Sequence, residues 1–292
     1  MNIGFIGLGL MGRPMAINIA RGNHTLHIWA RRAASLEPFA QLDAHAHVSA
    51  AEVAKHADIV FMCVADAPDV EEVCLGPGGI VESGKRGLVV SDSSTIAPAA
   101  ARRIGAKLKE HGMSFLDAPV SGGETGAINA TLSFMVGGEE AAFAQAKPFY
   151  ELMGKSVTLV GDSGAGQVTK ACNQTVVAMT MLAVAEALTF ARKSGVDGAK
   201  VREALLGGFA NSKILDHHGK KMLERSWKPG FKAWMQQKDL RIVLQSAHEL
   251  GLAMPGAAVA SQLFNAMVGS GMGEEDNMAV IKLIEGLAGI KE

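Results

Sequence analysis

An excess of charge of either sign is missing from this sequence: 28 basic residues stand against 29 acidic ones, for a net charge of −1. Nucleic acid and an acidic membrane surface therefore have no electrostatic claim on it, and any phosphate it binds must be held locally. Cysteine is scarce too. Cys63, Cys74 and Cys172 are odd in number, far apart and without CxxC spacing, which argues against a disulfide framework or a zinc site and for a reducing compartment. The nine histidines form no HExxH pattern, the nearest approaches being His45 with His47 and His217 with His218, so no metal is expected. No basic leader precedes the first strand pattern, MNIGFIGLGLMG. The longest weakly polar run, 175–185, is too short to span a bilayer and is closed by Glu186. A cytoplasmic protein with neither nucleic acid nor membrane as partner is the expectation.

What is present is a long chain with an ample core: 292 residues, 48% of them hydrophobic, enough for one large domain or two ordinary ones. Up to about residue 161, short apolar runs at 2–6, 26–29, 59–64, 88–91, 115–116, 132–136 and 157–160 alternate with helical stretches at 11–21, 50–56, 97–111 and 139–153. That rhythm predicts a mostly parallel sheet covered on both faces. Beyond it no strand-like run follows. A helix over 166–193, about 40 Å long at 1.5 Å per residue, leads into helical segments at 199–207, 214–225, 238–250, 256–269 and 277–287. The predicted organisation is a 1–162 dinucleotide-binding α/β domain and a 163–292 all-α domain, joined by the long helix and meeting in a cleft.

The first strand runs into Gly7-Leu8-Gly9-Leu10-Met11-Gly12, a GxGxxG between strand and helix. Gly7 makes the tight turn, Gly9 admits a pyrophosphate to the backbone, and Gly12 lets helix and strand pack closely. The helix N-terminus then faces the phosphates with its N–H groups. The second strand ends in Trp29-Ala30-Arg31-Arg32, with arginine where NAD-binding chains carry an acid. Arginine there suits the 2′-phosphate of NADP(H), although a guanidinium also stacks on the adenine of NAD(H), and a solvated basic turn is the bland alternative.

Two further stretches fall where open sheets bind ligands. Asp92-Ser-Ser-Thr-Ile-Ala-Pro98 places Thr95 at a strand-to-helix edge, where it also reads as a helix start. Ser121-Gly122-Gly123 offers a hydroxyl and approachable backbone N–H groups, chemistry suited to a carboxylate, or simply a glycine turn. Lys170 is the third feature: between Ser163 and Ala191 only Lys170 and Glu186 are charged. Asn173 and Gln174 follow it at i+3 and i+4, on one helical face. Either the ammonium reaches water, or it has acid/base work to do.

Together GLGLMG, DSSTIAP, DAPVSGG, GAGQVTKACNQ and the QKDL at 237–240 resemble the β-hydroxyacid dehydrogenase family, in order and over nearly the whole chain. The resemblance implies reversible hydride transfer between a nicotinamide and a small carboxylate-bearing semialdehyde. Within the family the sequence is most similar to the branch acting on tartronate semialdehyde, with 3-hydroxyisobutyrate and 4-hydroxybutyrate as alternatives. It implies that Lys170 is the catalytic lysine, that Asn173 bonds the reacting oxygen, and that Ser121, Gly122 and Gly123 hold the carboxylate. Thr95 would lie at nicotinamide and substrate, while Met62, Val64, Ala65, Phe231 and Lys238 would contact cofactor. Gln174 replaces the second asparagine of the common KxxNN pattern, and DNMA at 276–279 departs from the family, leaving Asp276 without a role. Relatives are homodimers or homotetramers. A non-catalytic scaffold is the remaining alternative, and such relatives usually lack the lysine.

Overall fold

The computed structural model describes residues 1–290 and forms two compact units, Met1–Lys170 and the part from Ala171 onward. The sequence reading divides the chain at 162 and 163, whereas the packing divides it inside a helix.

In the first unit β1 (Asn2–Ile6), α1 (Gly12–Ala20), β2 (Thr25–Trp29), β3 (Ala44–Ala46), α2 (Ala50–His56), β4 (Ile59–Met62), α3 (Ala67–Leu75), β5 (Val89–Asp92), α4 (Pro98–Glu110) and β6 (Ser114–Asp117) build a parallel sheet in the order 3-2-1-4-5-6. That is the strand order of a Rossmann fold, whose ligands lie beyond the carboxyl ends of the strands. β7 (Val120–Ser121), α5 (Gly123–Ile128), β8 (Leu132–Gly137), α6 (Glu140–Met153) and β9 (Gly154–Gly161) extend it, with β8 antiparallel to β6 and β7 and parallel to β9.

Helices cover both faces, so the central strands are apolar throughout; all of Ile59–Met62 is buried. Successive residues go to opposite sides. Phe5 joins Ile28, Phe61 and Tyr150, whereas Ile6 joins Val60, Val90 and Ile104. The sequence reading lacks β3, β7, α3 and α5. β3 is a three-residue exposed edge and β7 has two residues, too short for periodicity to register. α5 begins on two glycines, a composition that reads as a turn.

The second unit begins within α7 (Ala165–Lys193) and continues through α8 (Gly198–Leu206), α9 (Gly219–Leu223), α10 (Ala233–Glu249), α11 (Pro255–Met267) and α12 (Val280–Leu287). No strand occurs among its described residues. Its core gathers Met181, Leu188, Leu240, Phe264 and Ile281. The single helix expected at 214–225 is a π-turn, Ile214–His218, followed by α9. α10 starts at Ala233 rather than 238, which puts Lys238 in its second turn. α7 is long and apolar enough to cross a membrane by length and composition, properties a core helix shares, and half of its most apolar window is buried.

Candidate active site

The glycine loop follows from the packing of β1 against its neighbours. Gly7 has φ +88° and donates its N–H to Trp29 O at 3.2 Å, and a Cβ there would collide with the carbonyl of Cys63. At Gly12 a Cβ would strike the carbonyl of Gly7. Gly9 differs: a Cβ there would meet nothing within 4 Å. Two glycines are thus demanded by the protein itself, while the middle one fronts open space at the start of α1, leaving its backbone approachable by a ligand. This is the cradle a pyrophosphate needs, so the loop fits a dinucleotide. Leu8 is buried below it, Met11 is half-buried and Leu10 is exposed.

The neighbouring strand ends are laced together. Beyond β4, Cys63 N–H donates to Ile6 O (3.0 Å) and Val64 N–H to Ser94 Oγ (2.8 Å), while Ser93 N–H returns to Met62 O (2.8 Å). Ser94 N–H donates to Asp92 Oδ1 at 2.9 Å. Met62, Val64 and Ala65 therefore share one edge with Thr95. Gln167, buried on α7, grips this segment from both sides of Thr95: Ile96 N–H donates to its Oε1 (3.1 Å) and its Nε2 donates to Ser94 O (2.8 Å).

The same turn of α7 is held by Asp117 at the end of β6. Its fully buried carboxylate accepts from Gly164 N–H (2.6 Å) and Gln167 N–H (2.9 Å), placing a negative group at a helix N-terminus. Burial pushes its carboxyl up to about 6, against those hydrogen bonds. One turn later stands Lys170, 6% exposed, with Nζ donating to Val120 O at 2.8 Å. The alternative of an ammonium reaching into water is overturned. Val120 leads directly into Ser121, Gly122 (φ +136°) and Gly123 (φ +62°), so lysine and glycine loop share one piece of backbone.

The second unit holds Asn173, Phe231 and Lys238. Asn173 Nδ2 donates to Gln174 Oε1 (2.8 Å), and the buried Gln174 passes the bond on through Nε2 to Asp239 Oδ2 (2.6 Å). Gln174 thus orients Asn173, with its longer side chain reaching α10. Lys238 Nζ lies 3.2 Å from Asp239 Oδ1. Asp276, which sequence left without a role, is buried and accepts from Gly230 N–H (2.7 Å), Phe231 N–H (3.4 Å) and Met278 N–H (3.2 Å). It shapes the Phe231 segment. Arg31, 66% exposed in its side chain, pairs with Asp69 of α3 at 2.9 Å, and Arg32 is exposed.

Sequence reasoning passed over Gln167, Asp117 and Asp239. Only Gln167 left a signal, its place one turn before Lys170; a buried amide or carboxylate becomes legible once its partners are located.

Residues 2–161 match the NAD-binding domain of 6-phosphogluconate dehydrogenase, and residues 164–284 match the NAD-binding domain of NADP-dependent 3-hydroxyisobutyrate dehydrogenase. The chain is 46% identical to the 2-hydroxy-3-oxopropionate reductase of Escherichia coli, over 100% of this chain and 99% of that one. The chain belongs to the β-hydroxyacid dehydrogenase family. It is also 34% identical to the 2-(hydroxymethyl)glutarate dehydrogenase of Eubacterium barkeri, over 99% of this chain and 97% of the relative. The solved 3-hydroxyisobutyrate dehydrogenase of Mycobacterium tuberculosis, described with L-serine, superposes with a TM-score of 0.88 at 30% identity, covering 97% of this chain and 98% of that one. As a β-hydroxyacid dehydrogenase the protein is an NAD(P)-dependent oxidoreductase.

Proposed function

We propose that the enzyme reduces tartronate semialdehyde (2-hydroxy-3-oxopropionate) to D-glycerate, reversibly, with Lys170 as the proton donor. The observation that carries this reading is the buried Lys170 ammonium on Val120 O, next to the Ser121–Gly123 backbone. The 46% identity to a 2-hydroxy-3-oxopropionate reductase supports the substrate.

Gly7, Leu8, Gly9, Leu10, Met11 and Gly12 would hold the pyrophosphate, Arg31 the adenosine end, and Met62, Val64, Ala65 and Thr95 the nicotinamide end, while Phe231 and Lys238 remain the further cofactor contacts that the family resemblance implies. Bound NAD(P)H supplies hydride to the aldehyde carbon. Ser121, Gly122 and Gly123 bind the substrate carboxylate, which is charged in both ground and transition states, so they act mainly on KM. Lys170 Nζ gives its proton to the aldehyde oxygen as negative charge develops there, and Asn173 Nδ2 stabilises that oxygen by a hydrogen bond. In the oxidative direction Lys170 takes the proton back. Gln174 and Asp239 keep the Asn173 amide oriented, and Gln167 holds Thr95 in place.

A preference for NADP(H) is part of the proposal, on the strength of Arg31 and the absence of an acid beside it. So are a cytoplasmic location and self-association to a homodimer or homotetramer, supported by the exposed apolar Val176, Met179 and Phe190 on α7 and Val259 on α11. Light scattering gives the oligomer number.

One assay tests the substrate. Purified protein should reduce tartronate semialdehyde with a kcat/KM well above those for the semialdehydes that correspond to 3-hydroxyisobutyrate and 4-hydroxybutyrate, measured with NADH and NADPH in parallel. A higher value for the semialdehyde of 3-hydroxyisobutyrate, the reading favoured by the Mycobacterium tuberculosis structure, would transfer the proposal to that acid.

A further inference from the structure

Away from the nucleotide loop, four of the nine histidines meet on one side of the first unit. His27 lies on β2, His45 on β3, His47 just after it and His56 at the end of α2. Their rings approach at centroid distances of 5.2 Å (His27 with His47), 5.4 Å (His27 with His45 and with His56) and 5.0 Å (His47 with His56). The dehydrogenase chemistry uses none of them. Their sequence spacing announces no site, because the sheet and α2 bring together residues up to 29 positions apart (27 to 56).

The hydrogen bonds select a tautomer. His27, 8% exposed, has Nε2 3.4 Å from the amide oxygen of Asn2 and Nδ1 2.9 Å from His47 Nε2. The amide oxygen can only accept, so His27 carries its proton on Nε2 and accepts from His47 Nε2–H. The lone pair of His47 is then on Nδ1. A histidine whose other ring N–H is fixed by a partner is the usual form of a metal-binding imidazole. Burial first, and then the neighbouring imidazoles, lower the His27 pKa to about 4; burial also lowers that of His47.

Glu52 and His56 stand at i and i+4 on α2, on one face. One imidazole nitrogen each from His47 and His56 and one carboxylate oxygen of Glu52 lie within 4.8 Å of one another. Ligand atoms around a tetrahedral zinc ion, at bonds near 2.0–2.2 Å, are separated by about 3.4 Å. His56 is exposed and Glu52 half-buried, so both side chains have room to rotate toward a shared ion. His56 must leave its stack on His47, at 22° between planes, to aim its lone pair. Lys55 holds Glu52 Oε1 at 2.6 Å, an exposed pair that an ion displaces.

We propose that His47, Glu52 and His56 form a binding site for a divalent transition metal of the zinc or nickel kind, with His27 as the buried residue that orients His47. Two imidazoles and one carboxylate suit such ions and not magnesium or calcium, and water completes the coordination. The ion would tie the exit of β3, a three-residue edge strand, to the end of α2. Sequence spacing gives no sign of this ligand set, because the set exists only in the fold.

The test uses full-length protein without a histidine tag, stripped with chelator and titrated with zinc chloride at pH 7.5 by calorimetry. One ion per chain is expected, with micromolar affinity and a raised Tm. His47→Ala and His56→Ala should each weaken binding by about 10-fold or more, whereas His248→Ala, an exposed histidine of the helical unit, should leave it unchanged. Dehydrogenase kcat should stay at the wild-type value in all three variants. Circular dichroism confirms that the variants fold. No saturable binding at micromolar zinc, or binding that survives both His47→Ala and His56→Ala, would overturn the proposal.

Discussion

The Lys170 ammonium donates to the carbonyl oxygen of Val120 at 2.8 Å. This bond joins the first turns of α7 to β7, and β7 continues into the Ser121-Gly122-Gly123 backbone. A lysine that looks misplaced on an apolar helix is thus fixed beside the loop that suits a carboxylate. Lys170→Met keeps length and removes the proton; kcat should fall by about 10²-fold to 10⁴-fold with cofactor KM unchanged. Steady-state kinetics checks this, and near wild-type kcat would remove the lysine from the mechanism.

Gln167 uses both ends of its amide on the backbone flanking Thr95. Gln167→Ala leaves Ser94 O and Ile96 N–H without that partner, at a cost of about 1–3 kcal/mol for each buried group. Gln167→Glu keeps the acceptor and loses the donor. We expect a lowered Tm in the first, and in both a loss of kcat larger than any change in carboxylate KM. Thermal scans with kinetics decide, and wild-type kcat in both variants would make Gln167 purely structural.

Asp117 carries a pH signature. Its folded-state carboxyl is pushed up to about 6 by burial, whereas in the unfolded chain it titrates near ~4. Between those values the folded protein holds the proton and the unfolded chain does not, so its contribution is fully present below ~4 and is lost as pH rises through ~6. The change is on the order of 3 kcal/mol, at 1.36 kcal/mol per unit. Asp117→Asn removes the titration, so the stability difference between wild type and variant should change over that window. Denaturant unfolding from pH 4 to 7 measures it, and a pH-independent difference would contradict the assignment.

The glycine loop separates fold from binding. Gly12→Ala drives a methyl into the Gly7 carbonyl and should destabilise by about 1–3 kcal/mol. Gly9→Ala meets nothing within 4 Å, so its stability should stay within about 0.5 kcal/mol of wild type while the KM for cofactor rises. Unfolding curves alongside cofactor titrations distinguish the two. Unchanged cofactor KM in Gly9→Ala would argue against pyrophosphate at Gly9.

Arg31 is a side chain shared between Asp69 and solvent. Arg31→Ala should raise the KM for NADPH by about 10-fold, the loss of a charge-assisted contact of ~1.5 kcal/mol, with little change for NADH. Equal effects on both cofactors would mean that Arg31 does not read the 2′-phosphate.

The alternation of apolar runs with amphipathic stretches was sufficient to place the Rossmann sheet, because strands buried on both faces leave an uninterrupted apolar pattern, as in Ile59–Met62. GxGxxG was legible from its spacing between a strand and a helix, whereas the reason for Gly7, the carbonyl of Cys63 beyond β4, is visible only in the fold. Lys170 could be singled out as an isolated charge, yet its burial was not decided by its neighbours in sequence. That required β7, a two-residue strand without periodicity, to arrive beside α7. The same holds for Gln167 on Ser94 and Ile96, for Gln174 on Asp239, for Asp276 on the Phe231 segment and for the His47, Glu52 and His56 cluster. Local sequence determined the longer elements and the nucleotide loop, since propensity and hydrophobic period act over a few residues. Tertiary structure alone decided which buried polar groups found partners, since hydrogen bonds and ligand sets depend on side chains brought together from distant parts of the chain.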